Sequence, residues 1–386
     1  MTANTKQNHY DAVIVGARCA GAATAMLLAR QGAKVLVIDH DKPGTDTMST
    51  HALMRGAAMQ LGKWGILDRI RAEGTPAIRR TSFIYGDETV DVDIRPMHGT
   101  DALYAPRRTV LDAALVEAAA DGGVSFRYGT GFAGFLHGID GRVAGLRTRR
   151  STDRIEEIGA DIVIGADGRR SAVARRAGAE VVKQSRFASS VAYRYFEGIP
   201  NRGYRWYFRP GASGGIIPTN DGQSCVFVAV PQSAFGEKLR GKGAEGMDAV
   251  MREHLPEMAA DLAGARPTGE VVAFAGERGF LRQSHGPGWA LVGDAGYFKD
   301  PITAHGITDA FRDAEILSDA ILAGRPESYP ALRDGLSAGF FEITDQVASF
   351  AWTMDGVKGL HVALNREMKA IQNWIADGMD GQRAAA

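Results

Sequence analysis

The sequence predicts an α/β protein in which a domain built on a parallel sheet is interrupted by an antiparallel β-sheet and followed by a helical C-terminal region. Three observations carry this. Short apolar runs that end in glycine, with helical patterns between them, occur near the N-terminus and again around residues 161–164 and 289–292. Between about residues 188 and 230 the texture changes to alternating aromatic and β-branched residues. From 329 to 376 the pattern is mostly helical. At 386 residues the chain is longer than the usual domain of about 100–200, which fits one domain built into another.

In chain order, Ala12 to Val15 is a strand buried on both faces and ending at Gly16. Strong helix formers run from Ala20 to Gln31, with Gly32 as the stop, and Lys34 to Asp39 is a second apolar strand. Arg108 to Ala120 has apolar positions at helical spacing and runs into Asp121-Gly122-Gly123. The stretch VSFRYGTGFAGFLHGIDGRVAGLRTRR that follows reads as antiparallel strands joined by glycine turns, and Asp161 to Ile164 as a buried strand. In the aromatic region Tyr193 and Tyr195 share one strand face, and Tyr204, Trp206 and Phe208 share another. A helical pattern from Glu245 to Leu262 is interrupted by Pro256. Trp289 to Val292 returns to a buried strand before Gly293-Asp294, and Gly306 to Ala323 is helical. The expected division is 10–75, 101–180 and 285–328 for the parallel domain, 76–100 and 181–284 for the antiparallel one, and 329–378 for the helices, which pack on either domain or on a second subunit.

Charge and composition narrow the function. The 45 acidic and 45 basic residues cancel and no run of one sign stands out, so nucleic acid and anionic membrane are not the expected partners. Two cysteines, Cys19 and Cys225, are too few for a disulfide framework or a zinc site, and suit a reducing, cytoplasmic setting; no metal site is expected. The N-terminus has no apolar signal core, and no stretch approaches 18 uninterrupted apolar residues.

The motif with most chemistry in it is VIVGARCAGAATAMLLARQGAKVLVID, Val13 to Asp39, a Rossmann-like β-α-β unit. In G-x-G-x-x-G the first glycine makes a tight turn, the second admits a pyrophosphate and the third packs helix on strand. Gly16 and Gly21 keep the outer roles; the middle position is Arg18, which either points away from the phosphates or curls back onto them. Ala17, Cys19 and Ala20 complete the loop, Cys19 as a small residue suited to a tight turn. Asp39, 23 residues after Gly16, is placed to accept from ribose hydroxyls. A dinucleotide is therefore the expected ligand.

Three segments in order, this fingerprint, VIGADGRRSAVAR at 163–175 and ALVGDAGYFKDPITAHGITDAFRDAEIL at 290–317, resemble the FAD-dependent monooxygenases of the p-hydroxybenzoate hydroxylase type and their relatives. The likeness spans nearly the whole cofactor domain. It implies FAD as cofactor, NADH or NADPH as a transient electron donor without a fold of its own, and hydroxylation of a small aromatic or polyketide-like compound by molecular oxygen through a flavin hydroperoxide. By the same resemblance Asp167 and Gly168 lie near FAD and the nicotinamide; Gly293 and Asp294 lie on its ribityl and pyrophosphate region. Pro301, Ala304, His305, Gly306 and Ile307 run beside the flavin ring, Arg108 contacts the cofactor, and Ser49 to His51 sit near the flavin. Pro301, His51 and His305 are the candidates for catalysis, the histidines because imidazole manages protons near neutral pH. The substrate wall is the aromatic sheet, with Tyr193, Tyr195, Trp206 and Tyr207 stacking on a flat ligand and Arg194, Arg205 or Arg209 holding a phenolate or carboxylate; cross-strand packing is the alternative role for each of them. A homodimer is compatible with the helical C-terminus.

This chain departs from the family in having Gly296 and Tyr297 after Ala295 and Thr308 near a position that is commonly Asn. The resemblance extends to geranylgeranyl reductases, which use FAD without oxygen insertion, and to flavin-dependent halogenases. Against the latter, no lysine occurs between Lys63 and Lys183, and RWYF…IIP only faintly echoes the halogenase tryptophan motif.

Overall fold

The computed structural model describes residues 9–150 and 154–379. At its centre is the strand His9–Val15, flanked in parallel by Val35–Ile38 and Ile155–Gly165. Val13 and Ile14 are both fully buried although they point to opposite faces, which is why the strand reads as an unbroken apolar run. Trp289–Leu291 extends the sheet in parallel beyond Ile155–Gly165. The helices Cys19–Ala29, Arg108–Asp121 and Gly306–Leu322 share one core through Ala22, Ala25, Leu115 and Phe311.

One expectation is corrected. Ser125–Arg127, read as the start of an antiparallel run, pairs in parallel with Val35–Ile38. The helix Arg108–Asp121 ends just before it, so the strand enters after a helical crossover, which delivers a parallel neighbour. Only Thr130–His137 and Val143–Arg150 form the antiparallel hairpin, and the second of these pairs with Ile155–Gly165.

The second sheet has seven strands in the order Arg266–Phe274, Ser189–Glu197, Gln223–Pro231, Ala212–Pro218, Tyr204–Arg209, Arg80–Tyr85 and Glu88–Asp93. Its neighbours are antiparallel except Tyr204–Arg209 and Arg80–Tyr85. The face with Tyr193, Trp206, Phe208 and Phe227 packs with Ala52, Leu103 and Trp352. The other, with Tyr207, Ile216 and Val226, is covered through Met247, Val250 and Met258 by the helices Gly243–His254 and Pro256–Asp261. Pro256 is the first residue of its helix, the position where a missing N–H costs nothing. A small sheet of Val181–Gln184, Phe280–Arg282 and Tyr297–Phe298 ties the segments together. The C-terminal helices Tyr329–Ala348 and Met354–Met379 bury Phe340, Leu364 and Ile375 with Met59 of the helix Arg55–Lys63. Among the described residues no helix is long and apolar enough to cross a membrane.

Candidate functional site

The N-terminal loop requires its two glycines for steric reasons. Gly16 has φ +110°, and a Cβ there would lie 2.4 Å from the Ala166 carbonyl oxygen; a Cβ on Gly21 would lie 1.9 Å from the Gly16 oxygen. Asp39 is pinned at the end of the second strand, its Oδ2 accepting from the Ala17 N–H at 2.7 Å and its Oδ1 from the Asp41 N–H at 2.8 Å. The helix that begins at Cys19 has no side-chain cap, so its first N–H groups and positive dipole end face the space in front of the loop. Arg18 resolves its two expected orientations by pairing with Asp41 at 3.0 Å, at the acidic end of the loop. Cys19 donates to Asp112 at 3.2 Å, and Arg108 reaches both Asp112 oxygens at 3.0 Å. Burial pushes the Cys19 thiol well up, so it is not a nucleophilic thiolate.

A single cavity of about 810 Å³ starts at this loop and ends at the aromatic sheet. From the loop it is lined by Gly16, Arg18, Cys19, Ala20 and Asp39, and beyond it by Ser49, His51 and Arg108. Asp167, Gly168 and Asp294 form one side, Pro301, Ala304, Gly306 and Ile307 another, and Tyr193 and Trp206 the far end. Three expected residues stand just behind this lining. Ala17 holds Asp39, Gly21 packs on Gly16, and Gly293, at φ +59°, leaves room for Ala20, whose Cβ a side chain would meet at 2.8 Å.

Ser171 caps the short helix Ala172–Ala177, and Asp167 Oδ2 accepts from the Ala172 N–H at 2.6 Å; the other Asp167 oxygen is buried without a partner. Burial pushes the Asp294 carboxyl up to about 6, against the pull of Lys299, Arg169 and Arg108. The loop at Pro301 is tied to the antiparallel sheet by Asp300, which accepts from the Ser189 N–H at 2.6 Å and from its hydroxyl at 2.5 Å. Ala304 then turns the chain at φ +50°, and the helix from Gly306 starts without a side-chain cap on the cavity.

The two histidines part company. His51, at φ +66° and 1% exposed, accepts or donates at Nε2 with the Tyr195 hydroxyl at 2.5 Å, while its Nδ1 has no partner. Burial, then the charges of Arg107 and Arg108, hold its pKa down to about 3, so it is a neutral imidazole. His305 is corrected as a flavin-side group: it lies behind the Pro301 loop, 3.2 Å from Asp309 and with its ring tilted against Phe340 at 4.5 Å, outside the cavity lining. The helix turn that brings residue 309 under residue 305 takes its ring away from the ligand space.

Tyr207 and Arg209 are corrected as substrate contacts. Strand alternation sends 204, 206 and 208 to the cavity face and 205, 207 and 209 to the other. There Tyr207 donates to Asp261 at 2.5 Å with Arg205 on the same carboxylate, and Arg209 pairs with Glu257. Arg194 reaches the Gly269 carbonyl on the sheet edge at 2.8 Å. Tyr195 stands one layer behind His51. Sequence reasoning missed Val191, Phe227, Phe274, Arg169 and Lys299, all of which line the cavity. The alternation of SCVFVAV was a usable signal for Phe227; Phe274 and Lys299 carry none.

A glycine cradle, two uncapped helix starts, an acid at the ribose position and unpartnered atoms on Asp167 and Arg108 fit a dinucleotide laid along this cavity. Fold and site thus define a dinucleotide-binding oxidoreductase class. The chain belongs to the family described as FAD binding domain, whose model matches residues 9–325, and FAD is its cofactor. It is similar to digeranylgeranylglycerophospholipid reductase of Methanocella arvoryzae, 26% identical over 328 residues, 82% of this chain and 78% of that one. It is also similar to 3-demethoxyubiquinol 3-hydroxylase of Escherichia coli, 26% identical over 347 residues, 84% and 83% of the two chains. Among solved structures the flavin-dependent brominase Bmp2 matches with TM-score 0.79 at 18% identity, over 94% of this chain and 93% of that one. PqsL of Pseudomonas aeruginosa, described as a probable FAD-dependent monooxygenase, matches with TM-score 0.74 at 18% identity, over 96% and 100%. The structural likenesses establish the fold.

Proposed function

We propose that this protein is an NAD(P)H-dependent FAD monooxygenase that hydroxylates a small aromatic or polyketide-like compound. The observation that carries the reading is the aromatic end of the cavity. Sites for one drug-sized ligand run to about 300–1,000 Å³, and here about 810 Å³ receives both cofactor and substrate. Trp206, Phe227 and Phe274 wall its end, leaving room for a compact ring. The similarity to a hydroxylase acting on a quinol supports the same reading.

Bound FAD supplies hydride acceptance from NAD(P)H and reaction with oxygen. The chain supplies the rest. The Gly16 loop and the helix start at Cys19 hold the pyrophosphate, Asp39 the ribose, and Asp294 and Arg108 the middle of the cofactor. The positive end of the helix from Gly306 favours negative charge on the ring system beside it. The aromatic wall excludes water and orients a flat substrate.

A reductase reading without oxygen insertion is favoured by the reductases among the relatives, which include menaquinone reductase of Mycobacterium tuberculosis, 27% identical over 330 residues, 77% of this chain and 72% of that one. It calls for a long apolar channel, whereas Trp206, Phe227 and Phe274 line the aromatic end of the cavity of about 810 Å³. For halogenation, the cavity-lining lysine is Lys299, which is buried in an ion pair with Asp309. The test is NADH- and NADPH-driven oxygen uptake by FAD-loaded protein across phenols and polycyclic aromatics. Substrate-stimulated uptake supports the proposal; flavin that is reduced but yields only peroxide across the panel moves the weight to the reductase.

A further inference from the structure

Behind the Pro301 loop lies a group of buried charges that the proposed reaction does not use. Lys299 belongs to the cavity lining, but its side chain is only 2% exposed and its ammonium is paired with Asp309. The rings of Phe340 and Tyr297 lie 4.7 and 5.3 Å from Nζ. Asp309 also meets Arg312 Nη1 at 3.4 Å and the His305 ring at 3.2 Å. Arg312 is in turn committed to Asp313 at 2.6 Å and to the Ser337 hydroxyl at 2.8 Å, and both members of that pair are fully buried. Charges this deep are weakly screened by salt.

Two cations here face two carboxylates, and His305 is kept neutral by burial and by the charges of Lys299 and Arg312. The group balances only while Lys299 carries its proton; without it, one negative charge is left behind the loop. A guanidinium keeps its charge at any working pH, so Lys299 rather than Arg312 is the member able to change the sum. Its charge reaches the cavity. Of the charges acting on the lining carboxyl of Asp294, that of Lys299 is the largest, ahead of Arg169 and Arg108 and greater than the opposing Asp313. Burial and Arg312 hold the Lys299 pKa well below the usual lysine range, while Asp294 and Asp313 pull it up. The other groups around it are settled above pH 7. Asp294 and Asp300 are raised only to about 6, Arg333 is paired with Asp334, Asp345 with Arg186, and burial pushes the hydroxyls of Tyr297 and Tyr329 well up.

We propose that Lys299 is a redox-linked proton site, an amine that takes a proton from solvent when reduction puts negative charge on the flavin and returns it on reoxidation. The hydride of NAD(P)H brings two electrons and one proton and leaves the reduced flavin with one negative charge. The second proton, from water, forms the Nζ ammonium opposite Asp309. By linkage the converse holds, and a protonated Lys299 raises the flavin potential. The inference rests on reduction of FAD in the cavity, the first step of the oxygen-inserting and of the reducing chemistry alike.

The test is the midpoint potential of the bound flavin from pH 7 to 9.5, for the parent, Lys299→Met and Lys299→Arg, by slow reduction with xanthine oxidase against reference dyes. Over this range methionine is never charged and arginine always is. At pH 7 the parent is expected to follow Lys299→Arg, with a reduced-to-oxidised ratio at fixed potential about tenfold above that of Lys299→Met, about 30 mV for a two-electron couple. As pH rises the parent is expected to cross to the Lys299→Met line. Asp309→Asn, which removes the counter-charge, moves the crossing to lower pH. Midpoints are equilibrium values, so the exchange rate of a buried proton does not enter. Three parallel lines, a parent that follows one variant over the whole range, or a crossing that Asp309→Asn leaves in place would overturn the proposal. If both variants at position 299 shed FAD, the parent's change of slope by one proton per two electrons and its displacement in Asp309→Asn decide instead. A flavin that shows the crossing but accepts no electrons from NAD(P)H would defeat the NAD(P)H-dependent reading alone; turnover with parallel lines would defeat this inference alone.

Discussion

The loops that carry His51 and His305 flank one cavity and give opposite results. Both histidines are buried, at 1% and 2% exposure, and burial lowers the pKa of both. His305 spends its Nδ1 on Asp309 and its ring on Phe340, inside a cluster with Lys299 and Arg312. His51 spends only Nε2, on Tyr195, and leaves Nδ1 buried without a partner. The difference teaches that burial and place in a motif do not tell two histidines apart; the partners of their ring nitrogens do.

The largest effect expected from breaking this contrast is on stability. His305→Ala removes a packed ring and leaves Asp309 short of a partner, and should cost about 2–4 kcal/mol in urea unfolding. The folded variant should bind nitrophenols within about twofold of the parent, since a contact outside the lining is worth little to the ligand. Loss of ligand binding without loss of stability would reverse the roles assigned to the two residues. Next in size, His51→Asn removes the bond to the Tyr195 hydroxyl and the ring contact with Tyr195, and should cost about 1–2 kcal/mol in the same urea unfolding.

A pH series sharpens the contrast further. His51 has its pKa lowered from 6.5 to about 3 in the folded chain, so below pH 6.5 the unfolded chain binds a proton that the folded one refuses. Its contribution is intact above that pH and is lost as pH falls toward 3. Asp294 and Asp300, both raised to about 6, act in the opposite sense, their contribution being lost as pH rises through 6. The difference between parent and His51→Asn isolates the histidine: the variant should lose stability less steeply between pH 6.5 and 3, by chemical denaturation at each pH. The smallest effect belongs to Arg18→Gly. The Arg18 and Asp41 side chains are about one-third exposed, and such a pair is worth about 0–1 kcal/mol. FAD affinity, read by flavin fluorescence, should stay within about fivefold.

How much was legible follows from how local each signal is. Gly16, Gly21 and Asp39 announce themselves because backbone geometry within one β-α-β unit dictates them. Trp206 against Tyr207 was decidable from strand alternation alone, which admits one of two neighbours to a face. The direction of Ser125–Arg127 depended on the crossover helix before it. Phe274 reaches the cavity because Arg266–Phe274 pairs with Ser189–Glu197 with an irregularity between Tyr193 and Tyr195, which no local pattern encodes. The same holds for His51, whose meeting with Tyr195 joins residues 144 apart.

The measurement that bears most directly on the account is turnover of the FAD-loaded protein with NADH or NADPH under oxygen-18 gas, with mass spectrometry of the product of a phenol that the protein binds. The account predicts a product carrying one atom of the labelled gas. A product that has gained only hydrogen, or reduced flavin that returns all the oxygen as peroxide, would contradict it.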